Sequence, residues 1–371
     1  MHSPPRLPDL PSEKAALRAL YEQGRMTRAD MARVMGLNRS SSGHIIASLI
    51  DQGLVRETAA SAPAPGPGRP GILLDLIPDS MSFLGLELGV EHLSVVELDL
   101  SARVLRTETR AFDGATASVS LALAHALQMA GRPRRLAGIG IAVPAQMDRA
   151  GGLRLAPLLG WRDLDLAALA REVGDLPPGL PLRAENDANA LALGVTWGRR
   201  LSAPGVTLLI NMETGVGGGI LIDGRLFRGG GGLAGEIGHM QMGPGGPVIE
   251  ERLGLGRLLA DYGAPLASFL SAVAEREPRA VLIAEDWAQT LAFALTQTCR
   301  IIDADRVILG GSVAALYPLV AARVQVHRLT AQTQSFTLPP IELAPDSTFG
   351  AAFGAAAMMH QRALSGADAA N

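Results

Sequence analysis

The chain has 371 residues, 48% hydrophobic and 19% charged, enough for two or three packed domains and too apolar for a disordered chain. Its single cysteine, Cys299, excludes a disulfide framework and a cysteine-built zinc site, as expected in a reducing cytoplasm. The net charge of −3 is unevenly spread: residues 1–70 hold nine Lys/Arg against six Asp/Glu, a surplus of +3, and the remainder carries −6, so any nucleic-acid contact is expected at the N-terminal end.

Pro4, Pro5, Pro8 and Pro11 open the chain without a basic start and apolar core, so no signal peptide is expected, and no stretch has the length and apolarity of a membrane span. Ser12–Gln23 has helical spacing, with Leu17, Leu20 and Tyr21 on one face and Ser12 as candidate cap. Thr27 opens a short helix, Arg28–Met35, with Met31 and Val34 inward; Gly36-Leu37 makes a tight turn. Asn38 then caps a helix to about Gln52 with Ile45, Ile46, Leu49 and Ile50 apolar, Gly53 stops it, and Leu54-Val55 starts a strand. Two short helices about a Gly turn describe a winged helix-turn-helix.

A recognition helix uses its N-terminal residues on base edges and phosphates. The candidates here are Asn38, Arg39, Ser40, Ser41 and Ser42, with Arg28 and His44 beside them; the alternative is a capped surface helix with solvated serines. Residues 59–71 read as a flexible linker, and Arg69, between Gly and Pro, is a candidate arm for a narrow minor groove.

From residue 72 the pattern is α/β. Strands are expected at Ile72–Leu76, Phe83–Leu88, Ser94–Leu98, Leu136–Ala142, Val206–Asn211, Gly218–Leu221 and Val307–Leu309, and helices at Val119–Ala130, Ala188–Trp197, Val281–Ile302 and Gly350–Met359. Strands come first and helices follow, and the order recurs after about Ala190, which suggests two similar lobes.

Four segments then stand out: Ala184-Glu185-Asn186-Asp187-Ala188-Asn189-Ala190, Thr214-Gly215-Val216-Gly217-Gly218-Gly219, Gly235-Glu236-Ile237-Gly238-His239 and Leu309-Gly310-Gly311-Ser312. In that order, with the Gly-Arg-Pro at 68–70, the chain resembles the ROK family of repressors, open reading frames and sugar kinases, and its repressor branch in particular. The resemblance implies a winged helix-turn-helix (1–58), a wing and linker (59–78), and a two-lobed actin-like ATPase body with its first lobe at 79–187 and 350–371 and its second at 188–349. It implies duplex DNA with a palindromic operator and a monosaccharide effector as partners, a homodimer or homotetramer, no cofactor and a cytoplasmic setting.

Sugar hydroxyls both donate and accept, so carboxylates, amides and imidazole suit them. The resemblance assigns that role to Asn186, Asp187, Glu236, His239 and Glu250, with Glu251 the competitor for the last place; Asn186 and Asp187 also suit a helix cap. In the kinases of the family the matching Asp takes the proton of the attacked hydroxyl.

Two departures bear on activity. Family members usually follow Gly-His with zinc-binding cysteines, whereas HMQMGPGGPVIEERLG has none, so no metal is expected. The loop is ordered by Pro244 and Pro247, or orders only on binding ligand. The phosphate turn of the kinases carries Asp and small residues, whereas Gly85-Leu86-Glu87-Leu88-Gly89-Val90-Glu91 and Glu213 bring carboxylates and a β-branched side chain there. The expectation is a regulator that has lost kinase activity. The alternatives are an active sugar kinase with a DNA-binding head, and a regulator answering to a protein or to a phosphosugar held by Arg225 or Arg228.

Overall fold

The computed structural model describes residue 8 and residues 10–59, 72–198, 205–331, 337–344 and 350–365. In chain order the head comprises α1 (Pro11–Gln23), β1 (Met26–Thr27), α2 (Arg28–Val34), α3 (Arg39–Asp51), β2 (Val55–Ala59) and β3 (Ile72–Leu76). The α1 face of Leu17, Leu20 and Tyr21 is buried as its spacing predicts. Ser12 is not the cap: Leu10 holds that position and Pro11 begins the helix, where its missing N–H costs nothing. Thr27 and Asp30 form a reciprocal capping box on α2. Glu13, buried on α1, accepts from Ser48 Oγ of α3 (2.6 Å) and from Nε2 of Gln52 (3.1 Å), which caps α3 at its C-terminus, and this fixes the two helices against each other.

Ile72–Leu76 is a strand, but it does not open the α/β body. It runs antiparallel to β2, from Val55 opposite Leu76 to Ala59 opposite Ile72, and to β1, with Met26 opposite Leu74. It is the returning strand of the wing, and alternating burial of Leu74 and Leu76 seats it on the helices.

The body continues with β4 (Ser82–Leu88), β5 (His92–Asp99), β6 (Val104–Ala111), α4 (Val119–Ala130), β7 (Leu136–Val143), β8 (Gln146–Met147), β9 (Leu153–Ala156), β10 (Trp161–Leu164), α5 (Leu166–Gly174), β11 (Leu182–Asn186) and α6 (Asp187–Gly198). Then come β12 (Val206–Met212), β13 (Val216–Ile222), β14 (Arg225–Leu226), α7 (Glu250–Leu253), α8 (Leu255–Tyr262), α9 (Leu266–Ala274), α10 (Pro278–Ile302), β15 (Arg306–Gly310), α11 (Tyr317–Thr330), β16 (Ile341–Leu343) and α12 (Gly350–Leu364). The long α10 starts where Pro278 follows Glu277, whose carboxylate accepts from the N–H groups of Arg279 and Ala280.

The chain divides into two compact units: residues within 1–142, 165–184 and 355–371, and residues within 143–164 and 185–354. The head belongs to the first unit. Each unit holds a five-stranded sheet, ordered β6-β5-β4-β7-β11 in one and β14-β13-β12-β15-β16 in the other. In both, the first strand pairs antiparallel with the next and parallel with the strand that follows the hairpins, so the recurrence legible in the sequence is a duplicated topology. Trp287, Phe269, Leu208 and Ile210 are among the buried side chains of the second unit.

Glycine allows two close approaches by α12. In the first unit a β-carbon on Gly140 of β7 would lie 2.1 Å from the Ala355 carbonyl oxygen. In the second, one on Gly354 would lie 1.7 Å from the carbonyl oxygen of Ala190 on α6.

Candidate functional site

Asn186, Asp187, Glu236, His239 and Glu250, the candidates for a sugar, all lie in the second unit. β11 passes directly into α6, so Asn186 ends the strand and Asp187 begins the helix. Asn186 Oδ1 accepts from the Asn189 N–H (3.0 Å), and its Nδ2 donates to the Ala145 carbonyl (3.1 Å); the capping role is therefore part of this geometry. Asn211 Nδ2 on β12 donates to Asp187 Oδ2 (3.5 Å).

Glu185, one residue earlier, is only 4% exposed. Four N–H groups converge on its carboxylate: Arg228 Nε (3.1 Å) and Nη2 (2.7 Å) on Oε2, Asn189 Nδ2 (3.0 Å) and the Asn186 backbone (3.1 Å) on Oε1. The Arg228 carbonyl in turn accepts from the Ala234 N–H (3.2 Å), closing the glycine-rich segment that leads to Glu236.

Glu236 precedes the 3₁₀ turn Ile237–His239, and His239 Nε2 lies 3.4 Å from Glu236 Oε2. Burial pushes the Glu236 carboxyl up, His239 pulls it back, the nearby Glu250 carboxylate pushes it further, and a hydrogen bond with Gln146 pulls it down. Glu250 opens α7, and its Oε2 accepts from the Val216 N–H (2.8 Å); Glu251 is exposed. The turn sits tightly on β13, since a β-carbon on Gly238 would lie 2.0 Å from the Val216 carbonyl oxygen.

Consecutive residues thus join the two halves: Ala145 binds Asn186 and Gln146 binds Glu236. The result is a cluster of carboxylates, amides and one imidazole, with Arg228 committed to Glu185 and Arg225 exposed on β14. Such a set pairs with vicinal hydroxyls and repels anions.

The cysteine-free segment after His239 is closed by its own backbone. Ile249 donates to Met240 (2.9 Å), Met242 to Pro247 (3.1 Å) and Gly246 to Gly243 (2.9 Å). His239 has no cysteine beside it, and no group of three or more metal-binding side chains occurs among the described residues, so the donor set does not fit a tetrahedral zinc ion.

At the first glycine turn, Gly89 donates to His92 (3.0 Å), and His92 Nε2 lies 3.4 Å from Glu87 Oε1. In the second unit, Glu213 turns its carboxylate onto the start of the helical run that becomes α11. Oε1 accepts from the Ser312 N–H (2.7 Å) and Oε2 from its hydroxyl (2.6 Å).

On the head, Asn38 caps α3 by accepting from Ser41 N–H (2.8 Å), and Asn38, Arg39, Ser40, Ser41 and His44 are exposed. Ser42 is a correction. It is 1% exposed, because positions 42, 46 and 49 share the inner face of the helix, so its hydroxyl points inward and away from any ligand. Arg28 is exposed and paired with Glu57 (2.6 Å). Arg69 lies outside the described residues.

The sequence reading missed Gln146, Asn211 and the role of Glu185. Glu185 carried a signal, a carboxylate next to the buried Ala184 at the end of a strand, whereas Gln146 and Asn211 reach the site only through the fold.

A winged helix followed by two sheets of the same strand order, with the polar cluster at the head of α6, defines a helix-turn-helix protein on a sugar-kinase-type, actin-like body. The chain belongs to the ROK family, which its residues 83–250 and 258–362 match. It is 27% identical over 243 residues to the Xylose repressor of Bacillus subtilis (strain 168), covering 64% of this chain and 62% of that one. It is 28% identical to a glucokinase of Streptomyces coelicolor over 50% of this chain and 60% of the other. A crystal structure of a ROK family transcriptional regulator, homolog of the E. coli MLC protein, matches 96% of both chains with a TM-score of 0.79 at 20% identity. A ROK family glucokinase from Streptomyces griseus, in complex with glucose and AMPPNP, gives 0.67 at 22% identity over 76% of this chain and 99% of its own. Among the described residues no helix is long and apolar enough to cross a membrane.

Proposed function

We propose that this chain is a DNA-binding transcriptional repressor of sugar-metabolism genes whose affinity for its operator is set by a neutral monosaccharide. The observation that carries the reading is one chain holding both a winged helix with an exposed Asn38–Ser41 and His44 surface and a cluster of Asn186, Asp187, Glu236, His239 and Glu250. Relatives named Xylose repressor support it. The sugar hydroxyls pair with the carboxylates and amides of the second unit. Asn38, Arg39, Ser40 and Ser41 meet the major groove, Arg28 and His44 flank it, and Arg69 enters the minor groove. A two-fold homodimer or tetramer reads a palindromic operator. The chain works in the cytoplasm without a metal or cofactor.

Kinase activity is lost in this reading. Asp187 still suits a general base, but Glu87 and Glu91 put negative charge at the first glycine turn, and the Glu213 carboxylate already takes the Ser312 N–H and hydroxyl. The second reading, an active sugar kinase with a DNA-binding head, has the glucokinase relatives in its favour. A thermal-shift panel of D-xylose, D-glucose, N-acetylglucosamine and their phosphates, with ADP release from ATP measured in parallel, separates the two. The regulator gives a shift with a neutral sugar and no ADP release. ADP release that depends on the sugar establishes the kinase.

A further inference from the structure

His360, on α12 in the first unit, is fully buried. Its ring is edge-on to Tyr21 of α1 (centroids 4.9 Å apart, planes at 64°) and to Phe83 of β4 (5.2 Å, 85°). Its Nε2–H donates to the Leu100 carbonyl (2.8 Å). Leu100 also donates its own N–H to the Pro78 carbonyl (3.0 Å), and Pro78 lies two residues beyond the wing strand β3. One imidazole therefore touches the first helix of the head, the first strand of the body, and the residue bonded to the strand's exit from the wing. Edge-on aromatic pairs and a buried hydrogen bond depend steeply on geometry, so a small displacement of α12 is felt at all three.

Two further features mark this place. The hydroxyls of Ser80, between β3 and β4, and of Ser82, the first residue of β4, are buried without a hydrogen-bond partner among the described residues, which leaves the observed arrangement incompletely satisfied. At its other end α12 begins in the second unit, where Gly354 lies against the Ala190 carbonyl of α6. Asp187, at the N-terminus of α6, belongs to the polar cluster.

We infer that the Tyr21–His360–Phe83 stack is the joint through which occupancy of the polar cluster reaches the DNA head, with α12 as the moving part. This rests on the proposed sugar control of DNA binding. Ligand at the head of α6 shifts the seat of α12, His360 moves with it, and the head is re-aimed through Tyr21 and the Leu100–Pro78 contact. His360 and Tyr21 touch neither sugar nor DNA; they carry the coupling, which in such systems is about 5–150-fold in affinity.

The test compares the full-length wild type with His360→Leu and Tyr21→Leu. D-xylose affinity is measured by calorimetry. Affinity for a duplex from upstream of the protein's own coding sequence is measured with and without saturating D-xylose. The wild type is expected to change its duplex affinity by at least about fivefold on adding sugar. Both variants are expected to bind xylose as the wild type does, and to bind duplex within about threefold of it, yet to change by less than twofold on adding sugar. Tyr21→Leu, at the periphery of the joint, keeps the test alive if the His360 variant does not fold. A variant that binds xylose and responds as fully as the wild type overturns the joint while leaving sugar control intact. A wild type that binds xylose without changing its duplex affinity overturns the sugar control beneath it.

Discussion

Replacing Arg228 with Met removes two of the four donors that hold the Glu185 carboxylate, those at 3.1 and 2.7 Å. The side chains of Arg228 and Glu185 are 14% and 5% exposed, so the charge left behind is not rescued by water. Breaking one side of a buried ion pair costs about 3–5 kcal/mol, a large share of the 5–15 kcal/mol that holds a typical domain together. All three tryptophans, Trp161, Trp197 and Trp287, lie in the second unit, so tryptophan fluorescence during urea unfolding reports that unit selectively. At a slope of about 2–3 kcal/mol/M, the transition of Arg228→Met should fall by roughly 1–2 M. Replacing the carboxylate as well, in Glu185→Leu/Arg228→Met, should recover part of the loss, because no buried charge is then stranded. A single variant that costs less than about 1 kcal/mol would refute the reading of Glu185 and Arg228 as a buried ion pair that holds the second unit together.

Four further outcomes follow. Ser42→Ala should leave duplex affinity unchanged and hold or raise the melting temperature, since it deletes a buried hydroxyl that has no partner among the described residues, while Arg39→Ala should weaken duplex binding and lower the salt-dependence slope by about one. Burial holds His360 down to about 4 from 6.5; because the folded value is the lower one, its contribution is fully present above pH 6.5 and is lost as the pH falls through 4, roughly 3 kcal/mol in all. Stability measured from pH 7 to 4 should fall less steeply in His360→Leu. Glu236 has the opposite sign: its raised carboxyl favours the folded state at low pH, and that contribution is lost as the pH rises through the raised value, so Glu236→Gln should flatten that part of the curve.

Helices with strong local signals were legible along the chain. Thr27 before α2 and Asn38 before α3 are local chemistry, and local chemistry survives into the fold; α10, expected from Val281, begins three residues earlier, at Pro278 behind the Glu277 cap. The strand–helix order that repeats after Ala190 appeared as two sheets of one topology for the same reason. What failed depended on partners distant in sequence. Ile72–Leu76 has a strand pattern, but nothing local says that it pairs with β2 across the 60–71 segment and with β1 rather than with β4. Ser42 is the exception: the apolar stripe through Ile46 and Leu49, four and seven residues on in the same helix, is local and already turns position 42 inward. Glu236, His239 and Glu250 share a stretch of 15 residues, so their proximity was readable, whereas Gln146 and Arg228 reach the site only through tertiary contacts.

In the proposed function a neutral sugar in the polar cluster controls the hold of the head on DNA. The most direct measurement is a fluorescence-anisotropy titration of the full-length protein onto a labelled duplex from upstream of its own coding sequence, with and without D-xylose, repeated with Asp187→Asn. The expected result is a sugar-dependent displacement of the wild-type curve that the variant loses while retaining its sugar-free affinity. Superimposable curves with and without xylose, D-glucose and N-acetylglucosamine, for a protein that binds the duplex tightly, would contradict it.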